Sequence, residues 1–546
     1  MNHESIKLKT QQSLSREKMK KKYKQQNKTK ENNFSNILDF IKKNKIFIIL
    51  FLISTTYFVH ENVTTTSWDL NVFVLNAQSI FTEGTYLEVG RPPLPSIILG
   101  ILGMLFGWIA SEIIFVIITS ALFAYAIHKL SQTLKFNPTV FYALTLNIYV
   151  FTHGLTVGTE ILSLSLLIMA MVLIIKNNAL SGLFIALTGL TRYNALILFP
   201  LSLFHFKYKK IITSLIIFGL TITAWLTYNY IVYGNMFESI ANQYALNVIS
   251  RAHFDQPIQI MHFVQAINIL IPFFIYGIII KIKQLIKDAK TKKKQKQSLW
   301  KKIKEYAEDK KPEILMIIIL LYTIINYATT PLKIPRYLFF IVLPATYFAY
   351  IGLRDIIQRI NKNKKTLLTI ALIIFTISLA SMIIFQPYRE RITTYERSTQ
   401  ILEELNVSHC QLNSNVWPHM SYLGIPTSPA PKQELVKQRI EEGHIIHLFK
   451  TVGDPDYVFD EEYMQTLPIL HEDQQIYIIG KEDCKEAEPV IHKYLEEIKE
   501  STTKNHGYEP NTNPCFIMFR NQGFMERTCN FIHGEGFTQD QNRRLW

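Results

Sequence analysis

The segment SWDLNVFVLNAQSIFTEGTYLEVGRPPLP, residues 67–95, determines how the rest of the chain is interpreted. It directly follows the first apolar segment and contains an isolated acid, Asp69, between a Trp and a Leu. Glu88, Arg91 and a rigid Pro92-Pro93 pair come later in the segment. A carboxylate at the end of an apolar segment is suited to act as a base at a membrane face, and it is also suited to cap the next helix.

A length of 546 residues alone would suggest a soluble protein of several domains, but repeated apolar runs along the chain argue against this interpretation. The runs are about 15 to 25 residues long, rich in Ile, Leu and Phe and nearly free of charge, which is typical of membrane-spanning helices. They predict an α-helical polytopic membrane protein with about eleven hydrophobic passes. The predicted domains are a basic cytoplasmic tail at 1–45, a membrane domain at 46–386 and a C-terminal extracytoplasmic domain at 387–546.

The net charge of +15 combines two regions of opposite sign. Residues 387–546 contain 16 Lys and Arg against 25 Asp and Glu, whereas residues 1–386 contain 42 against 18. Nucleic-acid binding is therefore a poor explanation of the basic composition, and cytoplasmic loops of a membrane protein are a better one. The segment 281–311, with thirteen lysines against four acids, and the basic segment 354–365 mark the inner side. The loop at 61–93 and the C-terminal domain are then outside, in a plasma-membrane protein whose N-terminus is cytoplasmic.

Two threadings of the first half are compatible with these charges. In one, residues 94–108 cross the membrane and residues 180–206 form a single span. In the other, residues 94–108 only enter the membrane, and residues 180–206 make two short passes separated at Arg192. The positive-inside rule favours the second threading, which places the lysines of the intervening loops inside and both Glu160 and Arg192 on the side of Asp69.

The C-terminal domain contains all four cysteines, which suggests up to two disulfides in an extracytoplasmic environment. The spacing leaves three pairings open, and free buried thiols are the alternative. Apolar periodicity predicts a small α/β or α+β domain, and Asn62-Val-Thr and Asn406-Val-Ser are glycosylation sequons on the predicted outer side. We expect helices at 434–442 and 488–501, and strands at 444–449, 457–459, 475–479 and 515–519.

Several motifs, taken together, resemble the polytopic glycosyltransferases of the GT-C fold, which use lipid-phosphate sugars. This group includes the dolichyl-phosphate-mannose protein mannosyltransferases and the lipid A aminoarabinose transferases. The resemblance covers approximately residues 45–355 and leaves out the C-terminal domain. The matching elements are an Asp after the first membrane helix (Asp69), then Ala77, Gly84-x-Tyr86 and Arg91-Pro-Pro-Leu.

The resemblance implies roles for two acids. Asp69 would take the proton of the acceptor. Glu160, in the next outer loop with His153 nearby, would orient the acceptor or share a divalent cation such as Mg²⁺ or Mn²⁺ with Asp69. Family members often have a second acid beside the first Asp. Leu70 occupies this position here, which argues against a metal site at Asp69. The structural alternative for Glu160 is a charge at a helix terminus.

The resemblance also implies that arginines bind the donor phosphate. Arg336 matches the Arg-Tyr that precedes a late helix in the family, and its guanidinium offers paired donors to phosphate oxygens. Arg192, at a break in an apolar stretch, and Arg91 are further phosphate-binding candidates. Lys333 could assist them. The alternative for Arg192 and Arg336 is that each anchors a helix end by snorkelling.

The resemblance implies an inverting glycosyltransferase that moves a mannose-like sugar from a polyprenyl (dolichyl-type) phosphate to an acceptor outside the cytoplasm. The acceptor is a protein, a glycan or a lipid, and no nucleic-acid partner is expected. A polytopic transporter or flippase is the alternative from another class, because ionisable residues near spans also mark transport paths. A third alternative is a catalytically inactive scaffold that presents the outer domain.

Overall fold

The computed structural model describes residues 41–155, 159–251, 256–292, 307–360, 364–385, 392–450, 460–506, 511–519 and 527–530. By its internal contacts the chain divides into residues 1–53 and 54–546, and the contacts discussed below lie within the second unit. The helices before residue 386 are α1 Lys45–Thr64, α2 Trp68–Phe81, α3 Pro93–Phe106, α4 Trp108–Thr133, α5 Pro138–Thr145, α6 Ile148–His153, α7 Glu160–Ile175, α8 Ser181–Thr191, α9 Tyr208–Tyr233, α10 Glu238–Tyr244, α11 Ile260–Ile267, α12 Ile271–Lys292, α13 Lys311–Thr329, α14 Val342–Arg359 and α15 Lys364–Phe385. A short strand, β1 Tyr86–Glu88, lies between α2 and α3, 3-10 segments occupy Tyr193–His205, Asn268–Leu270 and Pro335–Ile341, and a π-helical turn occupies Ala245–Ile249.

Seven of the described helices are long and apolar enough to cross a membrane. They are Lys45–Thr64, Trp108–Thr133, Tyr208–Tyr233, Ile260–Gln284, Lys311–Thr329, Pro335–Arg359 and Lys365–Phe385, and four shorter apolar helices are Pro93–Phe106, Glu160–Ile175, Ser181–Thr191 and Tyr193–His205. Together with the sheet of the C-terminal region, these helices confirm the predicted fold class. The number of passes stays a prediction.

Several apolar runs of the first half form short helices. Helix α3 has 14 residues and ends at Gly107, whose φ is +83°. At about 1.5 Å per residue it extends roughly 21 Å, less than the ~30 Å of a bilayer core. Helix α8 ends at Arg192, which has extended backbone, and a 3-10 segment follows it. The apolar segment 140–151 is also divided, because Asn147 Oδ1 accepts a hydrogen bond from the backbone N–H of Val150 (3.1 Å) and starts a new helix, α6.

The polar ends of the helices gather at two separate places. At the C-terminal end of α7, Lys311 Nζ donates to Asn177 Oδ1 over 2.8 Å, which joins this loop to the end of the Lys-rich segment. At the N-terminal end of α7, Glu160 forms an ion pair with Arg192 and shares a cavity with Asp69. This arrangement favours the second threading. Which of the two faces is extracytoplasmic stays a prediction from the lysine distribution.

The C-terminal region is built around a five-stranded mixed sheet with the strand order β3-β2-β4-β6-β5. Strand β2 is parallel to β3 and β4, whereas β6 is antiparallel to β4 and β5. Apolar residues of both sheet faces are buried against the surrounding helices. The strands are β2 Leu412–Ser414, β3 Thr427–Pro429, β4 Ile445–Phe449, β5 Ile469–Glu472, β6 Ile476–Ile479 and β7 Val490–His492, and the helices are α16 Ile392–Glu404, α17 Trp417–Tyr422, α18 Val436–Glu441, α19 Glu461–Met464, α20 Tyr494–His506 and α21 Pro514–Phe519, with a 3-10 turn at Gln433–Leu435.

Two of the predicted elements of this region are wrong in type. The strand expected at 515–519 is helix α21, because Pro514 suits the first helical turn and Asn513 Oδ1 caps the backbone N–H of Cys515 over 2.7 Å. The helix expected at 488–501 begins only at Tyr494, since the residues before it form β7 and pair with another strand. The helix at 434–442 and the strands at 444–449 and 475–479 are confirmed within one or two residues. The strand expected at 457–459 lies outside the described residues.

The C-terminal region docks on the face of the helical part that contains Asp69. Strand β7 pairs in parallel with β1, with Tyr86 opposite Val490 and Glu88 opposite His492. Tyr422 OH donates to Glu112 Oε1 on α4 over 2.5 Å. The two regions therefore share one side of the predicted membrane domain, as the sequence predicts for the loop at 61–93 and the C-terminal domain.

All four cysteines are paired, as Cys410–Cys484 and Cys515–Cys529. The prediction that this domain contains disulfides is confirmed, and the structure selects one of the three pairings that the spacing left open. Paired cysteines agree with an oxidising, extracytoplasmic location.

Helices α12 and α14 pack at the distance that only glycine allows. A Cβ on Gly277 would lie 1.9 Å from the carbonyl oxygen of Phe348, and one on Gly352 would lie 2.2 Å from that of Phe273. Small residues at a helix crossing let the backbones approach closely, which is a common way of packing helices in membranes.

We expect Gly277→Ala to lower the thermal stability of the purified protein, because the new methyl group meets backbone that cannot rotate away. Overpacking of this kind costs about 1–3 kcal/mol. The matched control is Gly219→Ala on α9, where a Cβ has nothing within 4 Å. Equal melting temperatures for the two variants would contradict the close packing.

A membrane-impermeant maleimide should place the C-terminal domain outside the cell. Because the four native cysteines are paired, Glu441→Cys at an exposed position supplies a single free thiol and should be labelled in intact cells. Gln358→Cys, exposed in the basic segment 354–365, is the matched control and should be labelled only after permeabilisation. The reverse pattern would overturn the predicted orientation.

Candidate functional site

Helix α2 holds the central residue of the candidate site. Ser67, with extended backbone, occupies the N-cap position, and Asp69 is the second residue of the helix. Apolar residues of α2 are buried on one side against α3, α4 and α7, and on the other against Trp417 and β7. Asp69 and Asn76 are seven residues apart and therefore lie on the same face, two turns from one another. Packing on both sides fixes where the Asp69 carboxylate points.

The carboxylate of Asp69 accepts hydrogen bonds from two arginines. Arg91 Nη1 donates to Oδ1 over 2.6 Å, and Arg336 Nη1 donates to Oδ2. The Asp69 side chain is only 12% exposed. Since Ser67 is the N-cap residue and the carboxylate is bound by the two guanidiniums, the helix-cap alternative does not describe Asp69.

Two further residues hold Arg91 in place. Arg91 Nε donates to Glu88 Oε2 over 2.6 Å, and Tyr86 OH donates to Glu88 Oε1 over 2.7 Å. The backbone of Glu88 is bound in turn by the amide of Asn76, which accepts from Glu88 N (2.8 Å) and donates to Glu88 O (2.9 Å). Arg91 therefore bridges two carboxylates.

Arg336 reaches the site from the start of a late helix. Pro335 begins a 3-10 segment that continues into α14, which places the Arg336 side chain at the end of an apolar helix. The position of this start is fixed by Tyr149 OH, which donates to the carbonyl oxygen of Pro335 over 2.5 Å. Helix α6 therefore helps to position Arg336, through the hydrogen bond from Tyr149 to the residue that precedes it.

Glu160 and Arg192 form a second ion pair in the same cavity. Glu160 begins α7, and its Oε1 accepts from Arg192 Nη1, while Oε2 accepts from the backbone N–H of Thr159 over 3.3 Å. Arg192 lies where α8 ends and the next segment begins, so its side chain leaves the helix at the break. The Glu160 side chain is 1% exposed and that of Arg192 is 16% exposed. Glu160 is thus both a helix-terminal residue and the partner of a buried cation.

These ion pairs face a common cavity of about 550 Å³. Its lining combines charged residues, uncharged amides and apolar or aromatic residues. The charged residues are Asp69, Arg91, Glu160, Arg192 and Arg336; the amides are Asn194, Gln243, Asn247 and Asn326; and the apolar and aromatic residues include Phe73, Ile197, Ile240, Tyr244, Val248, Tyr322 and Ile325.

The two arginines decide the charge of Asp69. Burial alone would raise the pKa of its carboxyl, but the charges of Arg336 and Arg91 and their hydrogen bonds outweigh burial and lower this pKa well below its ordinary value. Burial opposes the charge of Arg91, but Glu88 and Asp69 raise its pKa well above the ordinary value. The site is therefore ionised on both sides at neutral pH.

Two of the residues considered in the sequence lie apart from this cavity. The ring of His153 packs edge-on against Tyr149 with centroids 4.8 Å apart, and His153 is absent from the described residues that line the cavity. Burial, followed by the charges of Arg336 and His262, lowers the pKa of His153 to about 4, so the ring is neutral at pH 7. Lys333 Nζ donates to the carbonyl oxygen of Ala328 (3.1 Å) at the end of α13 and does not turn to the cavity.

The amide residues of the cavity are not recognisable as site residues from the sequence. Gln243 and Asn247 belong to α10 and the π-helical turn after it, and Asn194 Nδ2 donates to Asn326 Oδ1 over 3.1 Å. An outer loop rich in amides is ordinary in composition, so no signal in the sequence distinguishes these residues from solvent-exposed ones. Only the fold shows that they line the cavity.

The carboxylates of the cavity do not fit a divalent cation. A metal site needs several carboxylate or imidazole ligands turned to one point. Here Asp69 faces Arg91 and Arg336, and Glu160 faces Arg192. In the described part of the chain, neither acid belongs to a group of three or more potential metal ligands.

No protein-family profile and no curated protein sequence matches the chain. Among solved structures, the chain is similar to the crystal structure of ArnT from Cupriavidus metallidurans bound to undecaprenyl phosphate. The identity is 9%, the TM-score is 0.49, and the similarity covers 80% of this chain and 98% of ArnT.

Proposed function

We propose that the chain is a membrane glycosyltransferase of the GT-C type, which transfers a sugar from a polyprenyl phosphate to an acceptor hydroxyl on the extracytoplasmic side. The observation that carries the proposal is the meeting of Asp69, Arg91 and Arg336 in a cavity with a charged and an apolar lining. Such a cavity offers a base, cations for the leaving phosphate and an apolar path for the lipid. A mannose-like sugar, a dolichyl-type lipid and a protein, glycan or lipid acceptor follow from the sequence resemblance, and the plasma-membrane location follows the prediction made from the basic segments.

The apolar lining suits the lipid tail. Ile197 and Ile325 line the cavity and are 66% and 60% exposed on helices that are otherwise apolar. In a membrane protein, exposed apolar side chains on such helices face lipid. A polyprenyl chain can therefore pass from the cavity into the bilayer along these apolar side chains.

Arg91 and Arg336 would bind the phosphate, and donor binding would then activate the base. A carboxylate that is bound by two guanidiniums is a weak base, as the lowered pKa of Asp69 indicates. The donor phosphate competes for the same N–H groups. As the guanidiniums also donate to the phosphate, its negative charge offsets their positive charge at Asp69, and the carboxylate becomes more basic. The base is then strongest when the donor is in place, which limits unproductive proton transfer.

The proposed step is a single displacement with inversion. The acceptor oxygen forms a bond to the anomeric carbon of the sugar while the bond between this carbon and the phosphate oxygen breaks. The proton of the acceptor hydroxyl passes to Asp69, and the lipid leaves as a polyprenyl monophosphate. Glu160, held by Arg192, is placed to orient the acceptor. The amides of the cavity suit the hydroxyl groups of a sugar, since they both donate and accept hydrogen bonds.

Asp69→Asn should reduce transfer from a labelled polyprenyl-phosphate sugar by about 10²–10⁴-fold, the usual contribution of a positioned base. Asn keeps the size and one acceptor oxygen, so the fold should persist. Asp355→Asn is the matched control, since Asp355 is paired with Arg359 (2.6 Å) in the basic segment away from the cavity. Activity of Asp69→Asn within about threefold of wild type would remove Asp69 as the base. Absence of transfer by the folded wild-type protein would overturn the proposed function.

Arg336→Ala should weaken binding of the donor more than that of the acceptor, with partial rescue by Arg336→Lys. Loss of a bidentate charged contact in a partly desolvated site costs about 2–3 kcal/mol, or roughly 30- to 150-fold. The exposed Arg354→Ala is the control for losing an arginine from the membrane domain. Separate titrations of donor and acceptor decide the result. Equal losses for both substrates, or full rescue by lysine, would favour a helix anchor instead.

The acid limbs of kcat/KM and of kcat should differ. In the free protein the pKa of Asp69 is lowered from an ordinary value of about 3.9, so this carboxyl stays ionised from about pH 5 upward and kcat/KM should show no acid limb from it there. In the donor complex the arginines bind phosphate, the pKa of Asp69 rises, and an acid limb should appear in kcat at higher pH. The stabilisation by ionised Asp69 is present above the ordinary pKa and is lost only as the pH falls through the lower folded value. Coincident limbs in the two profiles would contradict the competition for the arginines.

A further inference from the structure

A buried chain of hydrogen bonds links the C-terminal domain to Arg91. Trp417 Nε1 donates to Tyr86 OH over 3.2 Å, and Tyr86 OH donates to Glu88 Oε1 over 2.7 Å. Arg91 Nε donates to the other oxygen, Glu88 Oε2, over 2.6 Å, and Arg91 Nη1 donates to Asp69. Trp417 belongs to α17 of the C-terminal domain, so the chain runs from this domain to the carboxylate of the proposed base.

Glu88 is buried too deeply to be an incidental surface ion pair. Its side chain is 0% exposed, and Tyr86 and Trp417 are 1% and 6% exposed. A buried carboxylate is costly unless a cation and hydrogen-bond donors compensate its charge. Arg91 supplies the cation and Tyr86 supplies a donor. Burial and the charge of Glu88 raise the pKa of Tyr86 well above its ordinary value, so the phenol keeps its proton and continues to donate.

The backbone of Glu88 is held from two directions. Asn76 of α2 binds both its N–H and its carbonyl oxygen. Strand β7 of the C-terminal domain pairs with β1, and Val89 N, next to Glu88, donates to the carbonyl oxygen of His492 over 3.1 Å. Helix α2 also carries Asp69. The carboxylates of Asp69 and Glu88, which both bind Arg91, are therefore kept at a fixed separation by α2 and by the pairing of β1 with β7.

We propose that Glu88 is a positioning residue that fixes the guanidinium of Arg91 beside Asp69, and that the C-terminal domain sets this position through Trp417, Tyr86 and β7. This role rests on the proposed function, in which Arg91 binds the donor phosphate. An arginine side chain has many rotamers, and binding at both edges of its guanidinium removes most of this freedom before the donor arrives. The C-terminal domain is thereby part of the donor site, although none of its described residues lines the cavity.

Three substitutions test the chain at successive points. Glu88→Gln should raise the KM for the polyprenyl-phosphate sugar about tenfold or more, because the charged partner of Arg91 is lost. Tyr86→Phe removes two hydrogen bonds, the one to Glu88 and the one from Trp417, whereas Trp417→Phe removes only the second. Each should raise the same KM by about two- to tenfold. The KM for the acceptor should change little. A purely structural role would lower the amount of folded protein and leave the donor KM of the folded fraction unchanged.

Tyr422→Phe is the matched control. Tyr422 also donates from the C-terminal domain to a carboxylate of the helical part, Glu112, but this contact does not lead to Arg91. It should lower stability as Tyr86→Phe does and leave the donor KM at the wild-type value. A double-mutant cycle completes the test: Glu88→Gln should raise the donor KM less in an Arg91→Lys background than in wild type, since the two residues act as one unit.

The outcomes separate this inference from the proposed function. If wild type transfers sugar and Glu88→Gln has a wild-type donor KM, or if the cycle with Arg91→Lys is additive, the positioning role is overturned and the glycosyltransferase stands. If folded wild type neither transfers sugar nor binds a polyprenyl phosphate, the proposed function and the positioning role both fall. In that case the link between the domains can still be tested by a double-mutant cycle of Tyr86→Phe and Trp417→Phe, measured by thermal unfolding. Additive shifts of the melting temperature would show that these two residues are not coupled and would overturn the link.

Discussion

One carboxylate held between two guanidiniums joins parts of the chain that are distant in sequence. Arg91 is 22 residues from Asp69, and Arg336 is 267 residues from it. Removing one member of a buried ion pair typically costs 3–5 kcal/mol, whereas replacing the whole group with apolar residues is often neutral. Stability alone therefore gives no reason to bury three charges here. Ion pairs of this kind in a cavity are characteristic of sites that bind charged ligands, and the neighbouring pair of Glu160 with Arg192 extends the same pattern.

The shape of the loop around Arg91 depends on residues more than 300 positions away. Strand β1 has three residues and would not be stable by itself. Its partner is β7, and its Tyr86 contacts Trp417, so the C-terminal domain completes the fold of this loop. Helix α20 reinforces the same docking, since the backbone N–H of Leu495 donates to Asn242 Oδ1 over 3.2 Å. A domain outside the resemblance to known transferases is therefore structurally inseparable from the loop that carries the site.

The sequence predicts the members of the site better than their contacts. Asp69, Arg91 and Arg336 could be found because they match motifs of the family that the sequence resembles. Their mutual pairing could not be found, since it depends on the relative placement of α2 and the start of α14. Glu88 has an ordinary position in a loop, and only the pairing of β1 with β7 shows that it is buried.

The two wrong predictions of secondary structure in the C-terminal domain also arise because tertiary contacts cannot be seen in the sequence. Residues 515–519 are apolar and suit a strand by composition, but the cap by Asn513 and the Pro that follows it start a helix. Residues 490–492 continue a helical pattern and become a strand because β1 offers them a partner. Local periodicity describes these segments less well than their tertiary contacts do, as is usual for short elements. The long apolar helices are predicted more reliably because twenty residues of one character leave few alternatives.

The charges that line the cavity, together with the buried Glu88 beside it, also suit the proposed reaction. Asp69, Glu88 and Glu160 carry three negative charges, and Arg91, Arg192 and Arg336 carry three positive ones, so the group is neutral without a donor. A sugar phosphodiester brings one negative charge. After transfer the lipid phosphate is a monoester with close to two negative charges at neutral pH, while Asp69 has gained a proton. The total charge is unchanged, and one negative charge has moved from the carboxylate to the phosphate. Two guanidiniums that can face both groups stabilise this negative charge before and after the transfer. Because α2, β1 and the start of α14 already hold the guanidiniums in position, little reorganisation opposes the step.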